Sequence, residues 1–130
     1  MNAVSIISVC FNEEPIKIKE TMNSIIAQDY KNMEIIIIDG GSKPETLNAF
    51  EEYRKQINYM VSEPDRGIFD AMNKGVSKAT GDWVIFMNMG DKFYNNHSLS
   101  GLMAGAKSGV DILYGHAVKN NLINLSPQKI

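Results

Sequence analysis

The stretch that decides the fold is EPDRGIFDAMNKGVSKATGDWVIFMNMGD, residues 63–91. A turn-like start leads into a segment with helical periodicity that stops at Gly81. Residues 83–87 then form a short apolar run, typical of a strand buried on both faces. Asp91 follows that strand at its carboxyl end, where open α/β sheets bind ligands. The apolar face of the predicted helix consists of Ile68, Met72 and Val76.

Two earlier apolar segments predict central strands. Residues 4–11 and 33–38 are rich in β-branched side chains and almost continuously apolar, as parallel strands are. A helix is predicted between them from Pro15, because apolar side chains recur on one face and charged ones on the other. The single cysteine, Cys10, falls in the first strand and is predicted to be a small buried hydrophobe.

The segment before residue 63 predicts one more helix and one more strand. Ser42 and Glu45 have the spacing of a capping box, which predicts a helix over residues 43–56. Residues 57–61 predict a third strand. The resulting βαβαβαβ alternation indicates an α/β fold: a parallel-rich twisted sheet with right-handed crossovers and helices on both faces.

The last third of the chain gives weaker signals. Asn95 or Asn96 is predicted to cap another helix that reaches Lys107, and residues 110–114 are predicted to form a fifth strand. Residues 116–130 mix polar and apolar side chains without clear periodicity.

Composition limits the function classes. With 130 residues, 44% of them hydrophobic, the chain is one domain or part of one. The net charge of −2 gives no basic face for nucleic acid. No apolar run approaches the ~20 residues that span a bilayer, and no basic residue precedes the first apolar segment as in an export signal, so a cytoplasmic location is predicted.

Acidic side chains follow three of the predicted strands. Glu13 and Glu14 follow the first strand, Asp39 the second and Asp91 the fourth. Carboxylates on one edge of a sheet can accept hydrogen bonds from a base or ribose, or hold a divalent cation against phosphate oxygens. The alternative is that each one stabilises the turn that follows it.

Two basic side chains on the third helix add to this pattern. Arg66 and Lys74 could neutralise a diphosphate near the helix N-terminus, which itself favours anions. The alternative is a solvated helix face on which Asp65, Asp70 and Lys78 form local ion pairs.

Four motifs together resemble the inverting family 2 glycosyltransferases, which have the GT-A fold of nucleotide-diphospho-sugar transferases. Their order and spacing match the family over roughly residues 3–115, and the third motif is similar to a signature of its bacterial polysaccharide-assembly branch. The resemblance implies a Rossmann-like, truncated GT-A nucleotide-binding half. The motifs are VSIISVCFNE (4–13), IIIDGGS (36–42), EPDRGIFDAMNKG (63–75) and ATGDWVIFMNMGD (79–91).

The resemblance also implies roles for individual residues. Asp39 would bind the base, and Asp91 with Asn88 would hold a Mg²⁺ or Mn²⁺ ion that bridges the donor diphosphate. The family's usual acidic residues are replaced here by Asn88 and Gly90, which lowers the negative charge of the metal motif. The implied nucleotide-sugar-binding residues are Phe11, Asn12, Glu13, Asp39, Arg66, Asp70 and Asn73.

The resemblance implies that residues 1–115 are the nucleotide-sugar-binding part, and that residues 116–130 are a tail or the start of an acceptor-binding half. The implied enzyme transfers a sugar, with inversion, from a nucleotide-diphospho-sugar to a hydroxyl acceptor in surface polysaccharide or lipopolysaccharide synthesis. The acceptor would be a glycan or a lipid-linked molecule, which allows peripheral association with the inner face of the membrane. An uncovered sheet face or edge would allow a homo-oligomer.

Two alternatives remain at this point. One is a donor-binding half-domain without turnover, because no residue of the chain matches the family's general base. The other is a phospho-acceptor signalling domain, which has a similar length and βα alternation. That fold needs an aspartate at the end of the third strand, where this chain has Ser62-Glu63-Pro64.

Overall fold

The computed structural model describes residues 2–105 and, beyond them, two short strands. The predicted fifth strand at 110–114 and most of the predicted tail at 116–130 lie outside the described residues. The elements are β1 (Val4–Cys10), α1 (Pro15–Ile26), β2 (Met33–Asp39), α2 (Pro44–Asn48), a 3₁₀ turn (Glu51–Tyr53), β3 (Tyr59–Ser62), α3 (Ile68–Lys78), β4 (Trp83–Phe86), α4 (Ser98–Met103), β5 (Val118–Lys119) and β6 (Leu122–Ile123).

The first four strands form one parallel sheet in the order β3-β2-β1-β4. This is how the doubly wound nucleotide-binding sheets begin, whereas the flavodoxin-like order of phospho-acceptor domains places β1 between β2 and β3. The strand order therefore excludes the signalling-domain alternative. It also places the topological switch point, where such sheets bind ligands, between β1 and β4.

Helices cover both faces of the sheet, which confirms the predicted α/β architecture. One face packs against α1, the α2 region and α4 through a core that includes Ile6 and Phe50. The other face packs against α3 through a smaller core that includes Ile7 and Ala71. The alternation of Ile6 and Ile7 between these two cores follows from the two-residue period of a strand.

The apolar face predicted for α3 packs on the sheet only in part: Met72 packs against the smaller core, whereas Ile68 and Val76 are largely exposed. Ile68 and Val76 are 50% and 48% exposed, and the buried residues of the helix are Ala71 and Gly75. A Cβ atom on Gly75 would lie 2.4 Å from Ile7 Cγ2, so the helix backbone rests directly on the sheet. Small residues make this contact because they allow the helix backbone to approach the sheet closely. The larger apolar side chains of the helix therefore lie farther from the sheet.

The predicted capping box is also wrong. The N-cap residue of α2 is Lys43, without a side-chain hydrogen bond, and the helix ends at Asn48 instead of reaching residue 56. The Ser42 hydroxyl is used elsewhere, since it donates to Asp39. Phe50, just beyond the end of this helix, is buried.

The segment after β4 forms a helix shorter than predicted. The N-cap residue of α4 is His97, and Asn95 supports the turn before it by accepting a 2.8 Å hydrogen bond from the His97 N–H. Cys10 is buried, as predicted. None of the described helices is long and apolar enough to cross a bilayer.

Candidate functional site

The loops that follow the four parallel strands meet at the carboxyl edge of the sheet. Backbone hydrogen bonds connect them directly: Gly40 N–H donates to Cys10 O at 2.9 Å, and Glu63 N–H donates to Asp39 O at 3.0 Å. On the other side of β1, Met89 N–H donates to Val9 O at 3.1 Å. The loops at residues 11–14, 40–43, 63–67 and 87–91 therefore form one continuous surface.

The loop after β1 is locked by Asn12. Its backbone has a φ of 52°, the left-handed region that asparagine tolerates better than most residues. The Asn12 N–H donates to the Ser42 hydroxyl at 2.7 Å, and the Asn12 side-chain oxygen accepts from the Lys43 N–H at 2.9 Å. This lock leaves the neighbouring Phe11 ring 66% exposed on the edge.

Asp39, for which the sequence implies a base contact, is fully buried beneath the edge. Its Oδ2 atom accepts hydrogen bonds from Gly41 N–H at 3.0 Å and from Ser42 N–H at 2.7 Å. The hydroxyls of Ser42 and Ser62 also donate to the carboxylate, at 2.5 and 2.7 Å. A base could therefore contact Asp39 only by displacing one of these groups.

Burial and hydrogen bonding have opposite effects on the ionisation of Asp39. Burial alone would raise its pKa, but the hydrogen bonds from Ser42 and Ser62 outweigh that effect, and the pKa is lowered. The Cys10 thiol next to it behaves differently, because burial and the Asp39 charge raise its pKa to about 12. The pair therefore consists of an ionised carboxylate and an unreactive thiol.

A carboxylate that the sequence analysis did not assign to the site lies above this turn. Asp65 Oδ2 is 2.8 Å from the position of a Cβ atom on Gly40, and Phe11 Cδ1 is 3.4 Å from the same position. Asp65 Oδ1 accepts a 3.0 Å hydrogen bond from Gly67 N–H, which fixes the side chain. The absence of a side chain at Gly40 thus allows the Asp65 carboxylate and the Phe11 ring to pack closely against the turn.

The residues predicted on α3 lie at the same edge. Asp70 Oδ2 accepts a 2.9 Å hydrogen bond from Arg66 N–H and therefore holds the start of the helix. The Arg66 side chain is exposed and forms no ion pair within residues 2–105. Lys74 Nζ lies 3.4 Å from Glu63 Oε1 and 3.9 Å from Asp70 Oδ2, so the ion-pair alternative holds for Asp70 only. Asn73 is exposed.

The predicted metal motif forms a turn at the switch point between β1 and β4. Asn88 Oδ1 accepts a long, 3.4 Å hydrogen bond from Val9 N–H, and Gly90 has a φ of 101°. Glu13 Oε2 lies 3.3 Å from the position of a Cβ atom on Gly90. Asp91 is exposed, and its carboxylate has no hydrogen bond or ion pair within the described part of the chain.

This donor set fits a hard cation that shares its ligands with a substrate. Among the described residues, no three His, Cys, Asp or Glu side chains are grouped closely enough to hold a metal ion alone. Mg²⁺ is typically bound by one or two carboxylates together with substrate phosphates, and Asp91 with the Asn88 amide oxygen offers that kind of partial site. The metal would be expected to bind together with the diphosphate.

The net negative charge of this edge also indicates that a diphosphate would bind together with a metal ion. Carboxylates outnumber cationic groups around the loops, so a diphosphate arriving alone would meet repulsion. The carboxylates of these loops and of α3 are Glu13, Glu14, Glu63, Asp65, Asp70 and Asp91, and the nearby cations are Lys43, Arg66 and Lys74.

The fold and the edge loops are those of a nucleotide-diphospho-sugar transferase of the GT-A type. The chain belongs to glycosyl transferase family 2, whose profile it matches over residues 5–128. Among its relatives, a PGL/p-HBAD biosynthesis glycosyltransferase of Mycobacterium bovis (strain BCG / Pasteur 1173P2) is 31% identical over 102 residues, which are 75% of this chain and 40% of the relative. An uncharacterized glycosyltransferase of Mycobacterium tuberculosis (strain CDC 1551 / Oshkosh) is 37% identical over 91 residues, which are 69% of this chain and 34% of the relative.

Solved structures show the same fold. A mannosyltransferase from Pyrobaculum calidifontis, in complex with GDP-Man and Mn²⁺, superposes with a TM-score of 0.75 at 25% identity over 84% of this chain and 34% of that chain. Staphylococcus aureus TarS in complex with UDP-GlcNAc gives a TM-score of 0.69 at 27% identity over 78% of this chain and 30% of that chain. The chain therefore spans well under half of the proteins it resembles.

Proposed function

We propose that this chain is the donor-binding part of an inverting glycosyltransferase that transfers a sugar from a nucleotide-diphospho-sugar to a hydroxyl acceptor. The observation that carries the proposal is the meeting of four loops at the switch point of the parallel sheet, with Phe11, Asp65 and Asp91 on one surface. Family membership and the nucleotide-sugar complexes of two structural relatives support it.

The exposed face of the Phe11 ring, next to the Asp65 carboxylate, would receive the base. A base placed there could stack on the exposed Phe11 ring, and the Asp65 carboxylate could accept a hydrogen bond from a ring N–H group. Asp39 would support the pocket from below by holding the turn at residues 40–42. Asn12 and Glu13 would complete the wall on the β1 side.

The diphosphate would lie between the start of α3 and the turn that carries Asp91. Arg66 would neutralise part of its charge, and Lys74 would join it by leaving the surface ion pair with Glu63. Asp70 and Asn73 would face the sugar. Asp91 and Asn88 would hold a Mg²⁺ or Mn²⁺ ion, which when bound supplies positive charge to the departing diphosphate.

Transfer with inversion is a direct displacement at the anomeric carbon. The acceptor oxygen forms the new bond while the bond to the diphosphate oxygen breaks, and the nucleoside diphosphate carries away the electron pair. The residues on this edge would contribute by orienting the donor and stabilising its developing charge. No residue of the chain matches the family's general base, so a donor-binding half-domain without turnover is the second candidate.

The broader setting is surface polysaccharide or lipopolysaccharide assembly, with a glycan or a lipid-linked acceptor. A PGL/p-HBAD biosynthesis enzyme among the relatives supports a role in making glycosylated surface molecules. Release of nucleoside diphosphate from UDP- and GDP-sugars, measured with and without a lipid-linked acceptor, separates the two candidates. Binding without release would favour the half-domain.

Replacement of the pocket residues tests the base site. Phe11→Ala should weaken binding of the preferred nucleoside diphosphate about 5- to 150-fold, the range for losing one base–aromatic stack. Asp65→Asn should change the preference among UDP, GDP and dTDP, because an amide presents a donor as well as an acceptor. Tyr94→Ala is the matched control, since Tyr94 is 78% exposed and lies outside the four loops. Equal losses in the Phe11 and Tyr94 variants would contradict the pocket.

A further inference from the structure

Helix α1 and the turn that follows it present three polar side chains to the segment after β4. Thr21 and Ser24 lie one turn apart on the same side of α1, and Gln28 lies just beyond the helix end at Ile26. Thr21 and Gln28 are buried among apolar neighbours, at 0% and 1% exposure. Buried polar groups are costly unless they are hydrogen-bonded, so their partners indicate what they do.

Thr21 bridges the turn that carries the proposed metal ligand. Its hydroxyl donates a 2.5 Å hydrogen bond to Asp91 O and accepts a 2.9 Å hydrogen bond from Gly90 N–H. One hydroxyl is therefore both a hydrogen-bond donor and a hydrogen-bond acceptor, and its two partners are consecutive residues. Threonine in a helix often bonds back to its own preceding turn, but here the hydroxyl is directed at another segment.

The other two side chains hold the segment as it continues. Ser24 Oγ accepts a 2.7 Å hydrogen bond from Phe93 N–H. The Gln28 amide donates to Asn95 O at 2.8 Å and accepts from Leu99 N–H at 2.9 Å. All these partners are backbone groups, so α1 replaces the neighbouring strand that would otherwise satisfy this stretch.

We propose that Thr21 is a positioning residue that sets the position from which Asp91 reaches metal and diphosphate, an inference that rests on the proposed function. Asp91 has no side-chain partner within residues 2–105, so the position of its Cβ atom, and with it the region that its carboxylate can reach, depends on its backbone. Thr21 fixes that backbone at both Gly90 and Asp91. Groups that orient a metal ligand typically change metal affinity by about 10- to 100-fold when they are removed.

Thr21→Val tests this role, because valine keeps the shape and removes the hydroxyl. The measurement is the affinity for UDP and GDP by calorimetry, with and without Mn²⁺. We expect the strengthening by Mn²⁺ to fall about tenfold in Thr21→Val, with the metal-free affinity unchanged. Thr21→Ser keeps the hydroxyl and should retain the strengthening.

Ser5→Ala is the matched control for lost stability. The Ser5 hydroxyl is also fully buried, and it donates to Glu34 and accepts from Gly81 N–H at the opposite edge of the sheet. Its loss should lower the free energy of unfolding without changing the Mn²⁺ effect. Unchanged Mn²⁺ strengthening in Thr21→Val, or an equal loss in Ser5→Ala, would overturn the proposal.

Amide hydrogen exchange separates this proposal from the proposed function. Thr21→Val should accelerate exchange of the Gly90 amide, and Ser5→Ala should not. If the wild-type chain shows no Mn²⁺-dependent binding at all, the proposed metal site and the positioning role fail together, whereas Mn²⁺ strengthening that is present in the wild type and persists in Thr21→Val overturns the positioning role alone. An unchanged Gly90 exchange rate in Thr21→Val would contradict it.

Discussion

Ser62, at the end of β3, donates a 2.7 Å hydrogen bond to the carboxylate of Asp39, at the end of β2. The same carboxylate accepts from the turn at residues 41 and 42, so one buried charge connects two strand ends and the loop between β2 and α2. A residue that the sequence associates with ligand binding therefore also stabilises the scaffold of the site.

Asp39→Asn should lower the free energy of unfolding at pH 7 by about 2–3 kcal/mol, because hydrogen bonds to a buried charge are lost and an amide donor faces other donors. Ser62→Ala removes one partner only and should cost about 1 kcal/mol. Urea unfolding measures both values. An Asp39→Asn variant as stable as the wild type would contradict the assigned role.

The contribution of Asp39 should depend on pH. Burial alone would raise the pKa of Asp39, but the hydrogen bonds lower it by a larger amount. The folded-state pKa therefore lies below the unfolded value of about 3.9. A group with a depressed folded pKa stabilises the protein above the unfolded pKa and loses that effect as pH falls through the folded pKa. The stability difference between wild type and Asp39→Asn should therefore shrink below about pH 4. A difference that stays constant down to pH 2 would be inconsistent with the shift.

Gly75→Ala should destabilise the protein, although alanine is the better helix former. The new Cβ would lie 2.4 Å from Ile7 Cγ2, and overpacking of this kind costs about 1–3 kcal/mol. Gly101→Ala in α4 is the control, because nothing lies within 4 Å of its Cβ position. It should be neutral or stabilising by up to about 1 kcal/mol. The same sign for both substitutions would refute the close packing of α3 on the sheet.

Gly90→Ala should affect both stability and metal binding. Its φ of 101° strains any other residue, and the new Cβ would lie 3.3 Å from Glu13 Oε2. Gly67→Ala provides a control for strain alone, since Gly67 has a φ of 115° and open space around its Cβ position. Thermal unfolding should show losses in both variants, whereas the strengthening of nucleoside diphosphate binding by Mn²⁺ should fall only for Gly90→Ala, because Gly67 supports Asp65 and not the turn that carries Asp91.

Much of the fold could be predicted because its signals are local. The four parallel strands were each marked by a short apolar run, and the alternation with helices followed from their order. The packing face of α3 could not be predicted in this way. Hydrophobic periodicity predicts that large side chains such as Ile68 are buried. In the structure Ala71 and Gly75 pack on the sheet instead, because their small size permits close contact with the helix backbone.

The candidate site was predictable only in outline. Strand ends placed the correct loops on one edge, but Asp65 gave only the signal of a local ion pair, and Asp39 gave no sign of its full burial. Thr21 gave no signal at all, because its partners are 69 and 70 residues away in the chain. Contacts of that separation are determined by the packed structure and leave no trace in a sequence window.

The most direct test of the central claim is calorimetric titration of the chain with UDP, GDP and dTDP, with and without Mn²⁺, for the wild type and Asp91→Asn. The account predicts that one diphosphate binds, that Mn²⁺ strengthens its binding, and that Asp91→Asn removes the strengthening while the metal-free affinity stays the same or rises, because one repelling carboxylate is removed. Absence of binding of any diphosphate by the folded chain, or Mn²⁺ strengthening that persists in Asp91→Asn, would contradict the donor site described here.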